Sequence, residues 1–262
     1  MQAITEKDLP GIDVSRHQGI VNWPQVASAG VKFAFIKATD GVGYVDPQFQ
    51  RNAAEAHAAG LPIGFYHYAH PELNSAASEV NAFLSAVSEY PSSLPHVLDL
   101  EGKAANIGAS AVTAWAYEWL SEVKNRTDRS VMLYTGASFA RTYCGAKLAE
   151  FPLWIAHYGV KQPMSNPLWN RWSVFQYSET GACAGIIGTV DINVMDAEFY
   201  AQCTSAKEAE DVALDKGVAQ TIINTWMSPS WKEANDAGNK EQADYIHWLA
   251  NELRKAAGLP AE

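Results

Sequence analysis

Residues 96–103 read HVLDLEGK, and this short stretch decides the fold. It is an apolar, β-prone run that carries two carboxylates, Asp99 and Glu101. Side chains two apart on a strand share a face, so Asp99 and Glu101 point one way and Leu98 and Leu100 the other. Burying one charge is costly, and burying two like charges together is worse. A strand with an apolar back and two acids at its end, just before Gly102, suits a parallel α/β barrel. In such barrels the C-terminal strand ends carry the active site. The plainer alternative is a strand end with solvated or ion-paired acids.

Outward from this stretch, the first 150 residues alternate between short apolar runs and helical stretches. The runs at 11–15, 32–39, 62–69, 96–101 and 130–136 are rich in Val, Ile, Phe and Tyr and are punctuated by Gly and Pro, which reads as strands. Helices are expected at 23–29, 47–59, 75–88 and 110–125. In the last of these, Val112, Trp115, Trp119 and Val123 form an apolar stripe. Strand–helix alternation predicts a parallel sheet with right-handed crossovers. After residue 150 three further strands, 152–158, 173–178 and 190–195, are joined by irregular loops. Eight strands in about 200 residues predict a closed barrel whose last third has lost its helices. An open doubly wound sheet competes less well, because no Gly-rich phosphate loop follows the first strand.

Residues 205–262 differ in kind, so the chain divides into a barrel over 1–204 and a helical region over 205–262. There Leu214, Val218, Ile222 and Trp226 recur at four-residue spacing. Ser228 is expected to cap a helix that has Pro229 near its start, and a last helix carries Ala243, Ile246, Leu249, Leu253 and Ala257 on one face and stops at Gly258. This region either binds the substrate surface through Trp226, Trp231 and Trp248 or only stabilises the barrel.

Composition narrows the function classes. The 262 residues are 48% apolar and 18% charged, with a net charge of -10, which disfavours nucleic acid and simple electrostatic docking on an anionic membrane or wall polymer. No run approaches the ~20 apolar residues of a membrane span. The N-terminal residues MQAITEKDLPGIDVS lack the basic head and apolar stretch of a secretory signal. Cys144, Cys183 and Cys203 follow no metal-binding spacing; three free thiols are expected over a Cys183–Cys203 bridge.

Two further acids stand inside apolar runs, Asp13 in GIDVS and Asp191 in GTVDINV. First and last strands are neighbours when a barrel closes, so both could converge with Asp99 and Glu101. Four carboxylates at one mouth push at least one pKa upward. A protonated acid beside ionised partners is the requirement of glycosidic bond cleavage. Strand aromatics, among them Tyr66, Tyr68, Tyr134, Trp154, Tyr158, Phe175 and Tyr177, include rings that could stack on sugars, although at least half are expected in the core.

The ordered set GIDVSRHQG, FAFIKATDG, GFYHYA, LDLE, YTG, WIAHY, FQYS and GTVDIN resembles the glycoside hydrolase family 25 lysozymes, the Chalaropsis-type muramidases that include many phage endolysins. The resemblance spans about residues 11–200. It implies a TIM-like α/β barrel with five β/α units and a β-rich last part, acting without cofactor or metal, as a monomer, on bacterial peptidoglycan. It implies cleavage of the β-1,4 bond between N-acetylmuramic acid and N-acetylglucosamine. Glu101 matches the general acid, Asp99 its partner, and Asp13 and Asp191 two supporting acids. Tyr66, Tyr134, Trp154, Gln176 and Lys37 match groove positions. Asp40 stands where the family more often has Glu, and Phe175 where Trp is frequent. Without a secretory signal, release by a holin or prior processing is expected. Asp99 acts either as nucleophile or as support for the substrate's own acetamido group, with the latter favoured.

Other classes fit less well. A zinc amidase would need a His cluster, yet His67 and His70 of HYAH fall on opposite faces of a strand and HExxH is missing. A serine hydrolase would need a G-x-S-x-G elbow. A binding-only relic of the fold is the alternative closest to the resemblance.

Overall fold

The structure, a computed structural model, describes residues 1–127, 129–205 and 215–260. It divides into two compact units, Met1–Thr204 and Ser205–Glu262. In the first, eight strands close a barrel in chain order: β1 (Leu9–Val14), β2 (Phe33–Asp40), β3 (Ile63–Tyr68), β4 (His96–Asp99), β5 (Val131–Gly136), β6 (Leu153–Ala156), β7 (Val174–Gly181) and β8 (Val190–Met195). Helices α1 (Trp23–Ser28), α2 (Phe49–Ala58), α3 (Ala76–Val87), α4 (Ala109–Thr127) and α5 (Ala137–Tyr143) follow β1 to β5, giving five β/α units. The connection from β6 to β7 has no α-helix, and α6 (Ala197–Thr204) follows β8. Helix α5 carries no apolar stripe that would mark it in the sequence: only Ala137 and Ala140 of its seven residues are buried.

Pairing is parallel from β1 through β7, but β8 runs antiparallel to both β7 and β1. The parallel pattern expected of the early strands therefore does not extend to the last one. Residues 182–189 join β7 to β8 too briefly for a crossover, so the chain turns back as a hairpin. The reversal matters for the site: it brings the start of β8, with Asp191, to the end of the barrel where the parallel strands finish.

Strand alternation sorts the core into two layers. Leu98 and Leu100, with Ile12, Ala34, Ile36 and Phe65, pack outward against the helices. Phe33, Phe35, Val97, Met132, Trp154 and Val174 fill the barrel interior. The helix side is closed by Val112, Trp119 and Val123 of α4 as expected, while Trp115 is half-buried and its Nε1 donates to the carbonyl of Asn74. Phe175 and Tyr177 also belong to the outer layer, so alternation removes them from the cleft. Short local signals start the helices: Asn22 accepts from Gln25 N ahead of Pro24 at α1, and Ser75 accepts from Ser78 N at α3.

Two glycines make room for the interior rings. A Cβ on Gly11 would lie 2.3 Å from the Phe33 ring. One on Gly64 would lie 2.6 Å from Phe35 and 2.7 Å from the Pro95 carbonyl.

In the second unit α7 (Lys216–Ile222), a π turn (Ile223–Met227) and α8 (Ser228–Asp236) form one continuous helix, followed by α9 (Lys240–Ala256). Ser228 is therefore no cap: Met227 precedes it in helical geometry, and Pro229 is absorbed by the widened turn. The expected stripe is also displaced. Leu214 lies outside the described residues, Trp226 is 61% exposed, and Ala219 and Ile223 are the buried positions. Strict four-residue spacing drifts about 40° per step around a 3.6-residue helix, so it does not hold one face. The α9 face does hold, with Ala243 and Ala257 buried and Ile246, Leu249 and Leu253 half-buried, and the helix ends before Gly258 at φ +61°. Trp231 and Trp248 are exposed, and Tyr245 stacks on Trp248 at 5.8 Å.

Because the carbonyl of Pro95 cannot yield as a ring can, Gly64→Ala is expected to cost about 1–3 kcal/mol, read from denaturant unfolding.

Candidate active site

The mouth of the barrel opens into a cleft of about 360 Å³. Asp13, Lys37, Tyr66, Asp99, Glu101, Tyr134, Trp154, Gln176 and Asp191, all nine positions singled out from the sequence, line it. Asp99 ends β4, and Glu101 continues the extended backbone at φ -158° before a 3₁₀ turn (Gly102–Ile107). The strand parity that turns Val97 inward thus carries on through both acids. Asp13 of β1 is the direct antiparallel partner of Asp191 of β8.

Each acid has distinct surroundings. Asp13 is buried, and its Oδ2 accepts from Gln176 Nε2 at 2.7 Å and Asn193 Nδ2 at 2.8 Å. Asn193 Oδ1 in turn accepts from Trp154 Nε1 at 2.8 Å, and Gln176 Oε1 accepts from the hydroxyls of Tyr134 and Tyr158, both at 2.8 Å. An indole N–H can only donate, which fixes the Asn193 amide with its NH₂ toward Asp13. The lattice therefore has one direction, with every donor aimed toward Asp13.

Burial raises the pKa of Asp13 well above the ordinary range, and neighbouring Asp191 raises it further, against the two amide donors. Burial also raises Asp191, while its hydrogen bond with Asp13 lowers it. The two carboxyls face each other across β1 and β8, so ionising Asp191 opposes ionising Asp13.

Asp99 is pushed well up by burial and then by Glu101, with Lys37 opposing. Its Oδ1 is buried and accepts no hydrogen bond from the described residues. Glu101 is raised by burial first; Lys37 opposes and Asp191 adds. The expectation that surrounding negative charge sets the acidity of Glu101 is thus corrected in emphasis. Removal from water leads, and among the neighbouring acids Asp191 contributes through space. Lys37 is held in place by Asp40 at 2.6 Å and lies 4.8 Å from the centre of the Tyr68 ring. His70 bridges Asp40 at 2.8 Å and Glu72 at 2.9 Å from behind.

The cleft floor is an aromatic stack. Trp154 lies 4.6 Å from Phe35 and 4.7 Å from Tyr134, ring centre to ring centre, with Tyr66 edge-on at 6.4 Å. Trp154 is 2% exposed, which makes it a support beneath the cleft and not an open platform. Tyr158 is the half-exposed ring at the rim, its phenol pushed up to about 12 by burial and nearby carboxylates.

Tyr68 and Tyr158, two of the candidate stacking rings, also line the cleft, as do Ser15, His17, Gln18 and Glu179, which no pattern in the sequence marks, and Asn193 braces it. Asn193 was within reach, since it lies two residues beyond Asp191 on one strand and so shares its face. His17 and Gln18 sit on a 3₁₀ turn after β1, where no strand pattern applies.

The HYAH histidines do not converge. His67 is fully buried in the outer layer, bonded to Thr39 Oγ1 and Glu79 Oε2, both at 2.7 Å, and stacked on Trp119. This Thr–His–Glu chain has no opening to the cleft and clasps β2 and β3 to α3. The three cysteines are free thiols.

The raised acids predict a pH dependence of stability. A carboxyl whose folded pKa exceeds its unfolded value favours folding below the unfolded pKa, and that contribution is lost as pH rises through the folded one. Asp99→Asn removes this loss. It is expected to raise the melting temperature at pH 8, with the gain shrinking toward pH 4, as calorimetry over that range would show.

A family model described as Glycosyl hydrolases family 25 matches residues 12–186. Over 194 residues the chain is 38% identical to a lysozyme of Streptomyces globisporus, covering 70% of this chain and 66% of that protein's own length. It is 31% identical over 200 residues to an N,O-diacetylmuramidase of Chalaropsis sp, covering 69% of this chain and 95% of the other. The crystal structure of a bacterial lysozyme from Streptomyces coelicolor matches with a TM-score of 0.69 at 33% identity, covering 77% of this chain and 99% of that one. Strands β2 to β7 and the cleft acids Asp13, Asp99 and Glu101 lie within residues 12–186, and the chain belongs to glycosyl hydrolases family 25.

Proposed function

We propose that the barrel is a muramidase that hydrolyses the β-1,4 bond between N-acetylmuramic acid and N-acetylglucosamine in bacterial peptidoglycan. The observation that carries this reading is the Asp99–Glu101 pair: a buried and a half-buried carboxyl on one strand face, both with raised pKa, at the mouth of a cleft. Such a pair retains a proton under conditions where ordinary carboxyls have lost theirs. Glu101 is the less buried of the two and gives that proton to the glycosidic oxygen as the bond to the anomeric carbon breaks.

The second role falls to Asp99. Asp99 lines the cleft, where its carboxylate accepts the N–H of a substrate acetamido group. Held there, the acetamido oxygen attacks the anomeric carbon and closes an oxazolinium ring, whose positive charge Asp99 stabilises. Water then opens the ring, with Glu101 taking the water's proton and so regaining its acid form. Asp13 and Asp191 hold negative potential beneath the developing positive charge. Gln176, Tyr134, Trp154 and Tyr66 keep these acids in place, and Lys37 keeps the mouth from accumulating uncompensated charge.

Digestion of purified peptidoglycan followed by mass spectrometry tests the bond. Products that end in reducing muramic acid support the reading; products that end in reducing glucosamine, or no new reducing ends at all, contradict it. Glu101→Gln is expected to lower the rate of release by about 10²–10⁴-fold with folding intact, and Asp99→Asn to come close to that loss.

A further inference from the structure

The large apolar side chains that the barrel unit leaves exposed are not scattered. Among its described residues they all sit on loops at the mouth, and five of them form one arc beside the acidic cleft. Ile20 (63% exposed) follows β1, Val42 and Val45 follow β2, Leu73 (74%) follows β3, and Ile187 (91%) tips the hairpin between β7 and β8. The two others follow β6.

The arc is continuous and braced. Asn22 N donates to the Gly185 carbonyl at 2.8 Å, tying the β1 loop to the hairpin. Arg16 N donates to Asp46 Oδ2 at 3.0 Å, tying the same loop to the one after β2. Gly41 N donates to the Tyr68 carbonyl at 2.9 Å, and His70 Nε2 meets Asp40, tying that loop to the next. The hairpin is further fixed by Ile186, which packs into the core beside the outward-facing Ile187. Isolated exposed apolar residues need no explanation, but a fixed and contiguous set around a binding cleft does.

We propose that this arc binds the wall polymer beyond the glycan held in the cleft, through the aliphatic parts of its peptide stems, chiefly the alanine side chains. The inference rests on the muramidase reading and adds a second contact region to it. Continuity with the cleft identifies the occupant, because a polymer threaded over Glu101 must leave across a rim, and Gln18, which lines the cleft, also belongs to the loop that carries Ile20. The negative charge of the chain, -10 overall with four acids at the mouth, opposes contact with an anionic bilayer and with the carboxylates of the wall alike, so the arc meets the polymer through uncharged aliphatic groups.

The test uses the full chain with Ile20→Ser, Leu73→Ser and Ile187→Ser combined, none of which touches the acids. On a soluble, peptide-free glycan tetrasaccharide the variant is expected to keep wild-type turnover. On intact sacculi its apparent KM is expected to rise about tenfold with kcat unchanged. In the Glu101→Gln background, co-sedimentation with sacculi is expected to weaken by a similar factor. Unchanged KM and unchanged co-sedimentation would overturn the proposal. So would equal losses on both substrates, or an arc-dependent affinity for phosphatidylglycerol vesicles without one for sacculi. Failure of the muramidase reading would look different: no new reducing ends from the wild-type chain, whatever the arc does in co-sedimentation.

Discussion

The organising constraint of this barrel is the removal of like charges from water at one end of a closed sheet. Asp13 and Asp99 are buried, while Glu101 and Asp191 are only partly exposed. Burial leads the causes that raise all four, and repulsion from a neighbouring carboxylate, which for Asp191 is Glu179, adds to it. Such a set persists only if the scaffold over-determines it. The scaffold does so in two ways, through a closed ring of strands that leaves the acids no room to separate and through amide donors that reach Asp13 from β7 and β8.

The hydrogen-bond lattice also gives that end its polarity. The Trp154 indole can only donate, which sets Asn193, and the Tyr134 and Tyr158 hydroxyls donate to Gln176 Oε1, so both amides turn their NH₂ groups to Asp13. The aromatic floor then serves the electrostatics as much as the packing. Its rings exclude water from beneath the acids, and this exclusion is what lifts their pKa values. On the opposite side Lys37, tethered to Asp40, limits the lift for Asp99 and Glu101. The acidity of the cleft is a balance between one anchored cation and a dry floor.

Much of this was legible in the sequence because period-two alternation is a strong signal where one face is acidic and the other apolar. HVLDLEGK places Asp99 and Glu101 by that rule alone, and the same rule separates Gln176 from Phe175 and Tyr177. The reversal of β8 was not legible, since a strand's direction leaves no mark on its own residues; only the shortness of 182–189 hints at it. Local rules failed where the backbone departs from a regular period. His17 and Gln18 lie on a 3₁₀ turn, α5 has no stripe, and the π turn at Ile223–Met227 shifts the face of the helix around it. The arc of exposed apolar residues was invisible for another reason: its members lie far apart in the chain and meet only when the barrel closes.

The account stands on a proton retained by the Asp99–Glu101 pair in the free protein. Carbon-13 NMR titration of the side-chain carboxyl carbons of these two residues measures that proton directly. At least one of the two is expected to titrate clearly above the ordinary carboxyl range near ~4, with a second step visible at the partner as it does so. Independent titration of both within that ordinary range, in a fully folded chain, would contradict the account.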